Sequence, residues 1–173
     1  LSPEMIRVGQ RKVERAGLAD RITLLTGNAL ALPFDADLFD CVATGFALRN
    51  VADIERALAE MARVVKPGGR VLSLELSHPT SAWVRYPYSF YFNRIVPILG
   101  RWSESRFRGK GLAPYRWLPH SLRNFPDQER LAEIFRRVGL MDVHYVNLSG
   151  GIVCLHIGVK PSTRRQPDPS CPS

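Results

Sequence analysis

The stretch FDCVATGFALRNVADIERALAEMARVVKPGGRVLSLEL, residues 39–76, decides the fold. Phe39 to Thr44 reads as a strand of the buried type, and Gly45-Phe46-Ala47-Leu48-Arg49-Asn50-Val51 follows it as a turn. Asp53 is placed to cap an amphipathic helix running through Val65. In Lys66-Pro67-Gly68-Gly69-Arg70, Pro67 stops the helix and the glycines reach backbone angles closed to other residues. Arg70 to Leu76 then forms the next strand. One strand-helix-strand unit of an α/β sheet is the consequence.

The same pattern extends in both directions. Ser2 can cap a helix predicted over Pro3 to Ala16, with Pro3 at its first position, Met5, Val8 and Val13 as an apolar stripe and Gly17 as its stop. A strand is predicted over Ile22 to Thr26. Downstream, Trp83 to Gly100 is predicted to be helical, and Arg101 to Pro119 is an irregular connection, so residues 83–125 read as an inserted cap. A helix from Asp127 to Val138, ended by Gly139, leads to strands over Asp142–Leu148 and Ile152–Val159 joined by Ser149-Gly150-Gly151. Residues 161–173 hold four prolines among polar residues and are predicted to be a disordered tail. The chain thus reads as one domain over 1–160, and it has no internal repeat.

With 173 residues and 45% hydrophobic content, one sizeable core is the expectation. No apolar run is long enough to span a bilayer, and Leu1-Ser2-Pro3-Glu4 forms no signal peptide, so a cytoplasmic chain is expected. The spacing of Cys41, Cys154 and Cys171 supports neither a metal site nor a disulfide framework. The net charge of +8 is concentrated: Trp83 to Phe125 carries eight basic residues against one acid, Glu104, and 11 of the 16 aromatics. Such a surface suits anionic lipid headgroups or nucleic acid, with its Tyr86-to-Phe92 aromatics as core of the cap or as a hydrophobic mouth. Familiar nucleic-acid motifs are missing, which favours a peripheral contact at the inner face of a membrane. Homo-oligomerisation stays open.

Phe46-Ala47-Leu48-Arg49-Asn50-Val51 resembles the Phe-Gly-Leu-Arg-Asn-Val segment of the ubiquinone/menaquinone biosynthesis C-methyltransferase family. Gly27-Asn28-Ala29 followed by Leu32-Pro33-Phe34 is similar to the family's Gly-Asp/Asn-Ala and Leu-Pro-Phe. Tyr88 to Phe92 with Ile95, Pro97 and Gly100, then Tyr115-Arg116-Trp117-Leu118, Ser121, Phe125-Pro126 and Gly150-Gly151-Ile152-Val153, carry the likeness almost to Pro161. The resemblance implies a class I S-adenosylmethionine-dependent methyltransferase: a Rossmann-like, doubly wound sheet with an antiparallel C-terminal hairpin. It implies S-adenosylmethionine as cofactor and a ring carbon of demethylmenaquinol, or of a related polyprenyl benzoquinol, as methyl acceptor. The cap and the Tyr-Arg-Trp-Leu segment are closer to the menaquinone branch.

By the same resemblance Asn28, Ala29 and Gly45 contact the cofactor, although Gly27-Asn28 is also an ordinary turn after a strand. Arg49 and Asn50 become the catalytic candidates against the plain readings of a surface arginine and a helix cap. Methylating a quinol ring carbon requires an electron-rich ring, hence a phenol losing its proton. Arginine does not accept that proton at neutral pH, so Arg49 is cast as a hydrogen-bond donor to the phenolate, or as the group that orients an accepting water. Tyr115, His120 and Ser121 are candidates for the quinone oxygens, with His78 a similar one; each also reads as structural. Glu75, ending its strand near the crevice, is open to touching substrate or pairing with an arginine. His156 reads as a satisfied core histidine.

The sequence departs from the family pattern in two residues and at its start. Gly45 stands where many relatives carry serine, which removes a hydroxyl contact, and Ala47 where they carry glycine, which is expected to restrict the backbone at the pocket rim. The opening Leu1-Ser2-Pro3-Glu4-Met5 resembles the family segment just beyond the acid that binds the cofactor ribose, so the first strand-helix-strand is expected to be lacking. A non-catalytic remnant or partner subunit is the alternative that this leaves.

Overall fold

A computed structural model of the chain describes residues 3–77 and 125–162, together with the single positions Trp83, Tyr86 and Arg94. Helix α1 (Pro3–Arg15) ends as Gly17 takes a left-handed φ of 65°. Strand β1 (Phe39–Gly45) leads through a 3-10 turn (Leu48–Asn50) to helix α2 (Ile54–Val64), where Asp53 accepts the Arg56 amide at 2.9 Å as N-cap. Helix α2 passes directly into β2 (Val65–Leu76). Asp127 caps α3 (Gln128–Arg137) in the same way, and β3 (Met141–Leu148) and β4 (Val153–Val159) follow, joined by a 3-10 turn over Ser149–Gly151.

The strands form a sheet of order β1-β2-β4-β3. β1 and β2 are parallel, whereas β2/β4 and β3/β4 are antiparallel, with Ser73 opposite His156 and Glu75 opposite Cys154. The Lys-Pro-Gly-Gly segment is drawn into β2 as an irregularity opposite Phe39–Cys41. Gly68 there has φ 81°, and a Cβ on Gly69 would lie 2.7 Å from the Asp40 carbonyl oxygen and 2.9 Å from that of Lys66. Backbone packing as well as backbone angle therefore demands the paired glycines.

Because side chains alternate along a strand, Val71, Ser73 and Glu75 all point to the face covered by α2 and α3 and are buried. Leu58, Val65, Val71, Leu131 and Phe135 make the core there. His156 belongs to it: Nε2 contacts the Gln128 carbonyl oxygen at 2.9 Å, and the ring lies between Phe135 and Tyr145. Burial lowers its pKa and it is a core histidine as the sequence suggests, but only half satisfied, for Nδ1 is buried with no hydrogen-bond partner among the described residues.

Two sequence expectations are corrected. Residues 22–26 are not a strand, for they make no ladder with any described strand, and an apolar run is a strand only when its backbone groups find a neighbour. The α1 stripe is not buried either: Met5 is 61% and Val8 41% exposed, and the helix meets the 22–26 segment where Gly9 faces Leu24. The expected cap helix and tail lie outside the described residues, except that Trp83, Tyr86 and Arg94 are exposed and helical in backbone and Pro161 and Ser162 are exposed and outside any helix or strand.

Candidate functional site

Parallel pairing puts the carboxyl ends of β1 and β2 on one edge of the sheet, and that edge is where open α/β sheets hold ligands. The Phe46 amide donates to the Leu74 carbonyl at 2.8 Å, turning the chain sharply out of β1. Phe46 pays for the turn with a left-handed φ of 54°, a costly angle for a residue with a large side chain. Ala47 has φ −115° and ψ −30°, which any residue adopts, so the expected restriction from alanine at this position is not found. Gly45 is exposed and a Cβ on it would meet nothing within 4 Å.

Beyond the turn, the 3-10 segment folds Arg49 back over the end of β2. Its side chain is only 13% exposed, with Nη1 3.6 Å from Oε2 of Glu75 and the guanidinium carbon 5.9 Å from the centre of the Phe46 ring. Arg49 is therefore not a surface arginine. Glu75 is 1% exposed, and its Oε1 accepts the Leu48 amide at 2.8 Å. Burial raises its pKa, opposed by the Leu48 amide, the Arg49 charge and the Ala47 amide. Asn50 does not cap α2, a role taken by Asp53; its Nδ2 donates to the Phe46 carbonyl at 3.5 Å, bracing the same turn.

The Gly27-to-Phe34 motif is fixed by a device that sequence reading missed. Arg56, Glu60 and Arg63 lie along one face of α2 and grip the loop by its backbone. Arg56 Nε donates to the Leu30 carbonyl at 3.1 Å, Glu60 accepts the Leu32 amide at 2.8 Å, and Arg63 donates to the carbonyls of Leu32 and Phe34. Glu60 and Arg63 also pair with two nitrogen-oxygen contacts of 2.8 Å. Those contacts, the Arg63 hydrogen bond foremost, hold the Glu60 carboxyl down at about 2. The spacing i, i+4, i+7 was visible as a charged stripe, which by itself reads as a solvated face.

This grip lays the loop along α2, with Leu30 at Arg56 in the first turn of the helix and Phe34 at Arg63 near its end. Asn28 and Ala29 are exposed there, with Asn28 Oδ1 accepting the Leu30 amide at 3.0 Å in a local turn. Gly45, Arg49 and Asn50 thus lie at the carboxyl end of β1 and in the turn after it, while Asn28 and Ala29 lie in the loop that α2 grips. His78, Tyr115, His120 and Ser121 lie outside the described residues.

Among known families, one matches residues 1–160: the ubiE/COQ5 methyltransferase family. The chain belongs to that family. It is 45% identical over 159 residues to the demethylmenaquinone methyltransferase of Bacillus subtilis, and 43% identical over 161 residues to that of Halalkalibacterium halodurans. These matches take in 92% and 93% of this chain but 66% and 63% of the relatives, so the ubiE/COQ5 chain described here spans less than two thirds of their length. Among solved structures it resembles the [4+2]-cyclase SpnF at TM-score 0.66 and 16% identity, covering 93% of this chain and 65% of that one. It likewise resembles a SAM-dependent methyltransferase of Aquifex aeolicus at TM-score 0.58 and 15% identity, covering 91% and 64%. These likenesses establish the class I methyltransferase fold for this ubiE/COQ5 family member. They do not fix its reaction, since a cyclase shares the fold.

Proposed function

We propose that the chain serves methyl transfer from S-adenosylmethionine to a ring carbon of demethylmenaquinol or a related polyprenyl quinol. The observation that carries this reading is Arg49, held at the carboxyl end of the parallel β1–β2 pair between a buried carboxylate and an exposed aromatic ring. The cofactor fits the chemistry of these residues: the exposed turn at Asn28 and Ala29 and the open strand end at Gly45 leave backbone accessible to an adenosyl group. Those three residues would hold it, and when bound it supplies an electrophilic methyl group on a sulfonium. Arg49 donates hydrogen bonds to the phenol oxygen as negative charge develops there, which makes the ring carbon nucleophilic. A water oriented by Arg49 takes the phenol proton, because a guanidinium has no acceptor of its own. Once the ring carbon has taken the methyl group and left the sulfonium as a neutral thioether, the hydrogen on that carbon is lost as a proton to water, restoring the aromatic ring. Asn50 keeps the turn beneath Arg49 in place. Tyr115, His120 and Ser121 complete the proposal as contacts to the quinone oxygens.

The test is transfer of isotopic label from S-adenosylmethionine to demethylmenaquinol by the natural full-length protein, with the product read by mass spectrometry for methylation at carbon. Ring methylation is the expected result. Absence of transfer, with folded protein and bound cofactor, would favour a non-catalytic partner chain.

The basic and aromatic stretch from Trp83 to Phe125 is the second part of the proposal: it rests on anionic headgroups at the cytoplasmic face, where a polyprenyl substrate resides. Trp83 and Tyr86 are 90% and 73% exposed, and among the described residues no helix is long and apolar enough to cross a membrane. Co-sedimentation with anionic vesicles is expected to weaken as salt rises and to drop when Arg101, Arg106 and Arg108 are neutralised together. Equal sedimentation with neutral vesicles would remove the electrostatic contribution.

A further inference from the structure

We propose that Glu75 is a positioning residue, which through its two carboxylate oxygens fixes both the 3-10 turn and the Arg49 side chain that the turn carries. The proposal rests on the methyl-transfer reading for its catalytic consequence and on geometry alone for its structural part. Oε1 accepts the Leu48 amide at 2.8 Å, which sets the backbone one residue before Arg49. Oε2 lies 3.6 Å from Arg49 Nη1, inside ion-pair range but beyond a hydrogen bond, and neither atom has a hydrogen-bond partner among the described residues. Charge therefore orients the guanidinium without consuming its donors, and the Phe46 ring flanks it at 5.9 Å.

Stability does not account for this arrangement. A buried carboxylate beside a largely buried arginine is costly to desolvate, and apolar residues of similar size commonly serve a core as well or better. The pair instead sits at the ligand-bearing edge, on a strand bonded to neighbours on both sides, β1 and β4. A donor that must meet a developing charge with little reorganisation is best mounted on such a rigid element. Glu75 supplies the mount, from 26 residues away in sequence.

The deciding variant is Glu75→Gln in the natural full-length protein. Glutamine keeps an oxygen able to accept the Leu48 amide but removes the charge opposite Arg49. Nitrogen-15 spectra should show a narrow, slowly exchanging Arg49 Nε–Hε signal in the parent, broadened by solvent exchange in the variant, while the Leu48 amide stays protected. Turnover of the quinol should fall roughly 10- to 100-fold, with the KM for S-adenosylmethionine within about twofold of the parent. An unchanged Arg49 signal, or turnover within about twofold of the parent, overturns the proposal. If Glu75→Gln does not fold, Glu75→Asp, which keeps the charge but withdraws it by one methylene, is held to the same two readouts. An inactive parent protein counts against the methyl-transfer reading, and the spectra still decide whether Glu75 fixes Arg49.

Discussion

Replacing Arg49 by lysine in the natural full-length protein is expected to lower turnover by roughly 100-fold while leaving the affinity for S-adenosylmethionine within about twofold. Lysine keeps a positive charge opposite Glu75, so the buried carboxylate is not left alone, an error that commonly costs about 3–5 kcal/mol. What it loses is the planar fork: an ammonium cannot face Glu75 with one nitrogen while presenting others, in fixed geometry, to a phenolate oxygen. The contact with the Phe46 ring, 5.9 Å from the guanidinium carbon, is weakened as well. Steady-state kinetics with labelled cofactor measure the first effect, and calorimetric titration measures the second. Turnover within about threefold of the parent would take Arg49 out of the mechanism. A parallel loss of cofactor affinity would instead assign it to binding.

Most of the fold was legible because its signals are local. Asp53 and Asp127 each accept the amide three residues on, Gly139 takes a φ of 88° after α3, and the hairpin turns on Ser149–Gly151, all as capping and turn chemistry require. The errors fall where a partner outside the local sequence decides. Ile22 to Thr26 has strand composition but no ladder among the described residues, and the stripe on α1 has periodicity but leaves Met5 and Val8 exposed. The site divides along the same line. Arg49 and Asn50 stand out from the motif, and the sequence places Glu75 near the crevice with an arginine as one partner open to it; that the partner is Arg49 depends on the pairing of β1 with β2. One signal was available: an acid at the buried phase of Val71-Leu72-Ser73-Leu74-Glu75, where a strand core seldom tolerates a charge without a counter-ion. Arg56, Glu60 and Arg63 gave no comparable warning, because charges at helical spacing are what a solvent face carries. Only the loop backbone lying against them reveals their work.

Giving β1 a second neighbour is expected to strengthen cofactor binding and stability together. Among the described residues β1 bonds only to β2, although its sequence is of the buried type; Cys41 and Ala43 are exposed and the Gly45 end is open. In a doubly wound sheet the cofactor lies at the switch point beside such a strand, against a Gly-rich turn that approaches the pocket by backbone. The family resemblance implies that relatives carry such a turn in a strand-helix-strand outside the matched part, and the relatives are about half again as long as that part. Calorimetric titration of S-adenosylmethionine into the 173-residue chain, and into the same chain preceded by that segment, compares the two cases directly. The extended chain should bind at least about 100-fold more tightly, a gain of about 2.8 kcal/mol. Its thermal midpoint should rise by several degrees, because an added strand pairs the open β1 edge and buries the apolar side chains along it. Supplying the segment as a separate fragment should recover part of both effects, since the edge of β1 offers its hydrogen-bonding groups to either source. Tight, stoichiometric binding by the 173-residue chain alone would overturn the argument, and would mean that Asn28, Ala29 and Gly45 build a sufficient cofactor site with the remaining residues of this chain.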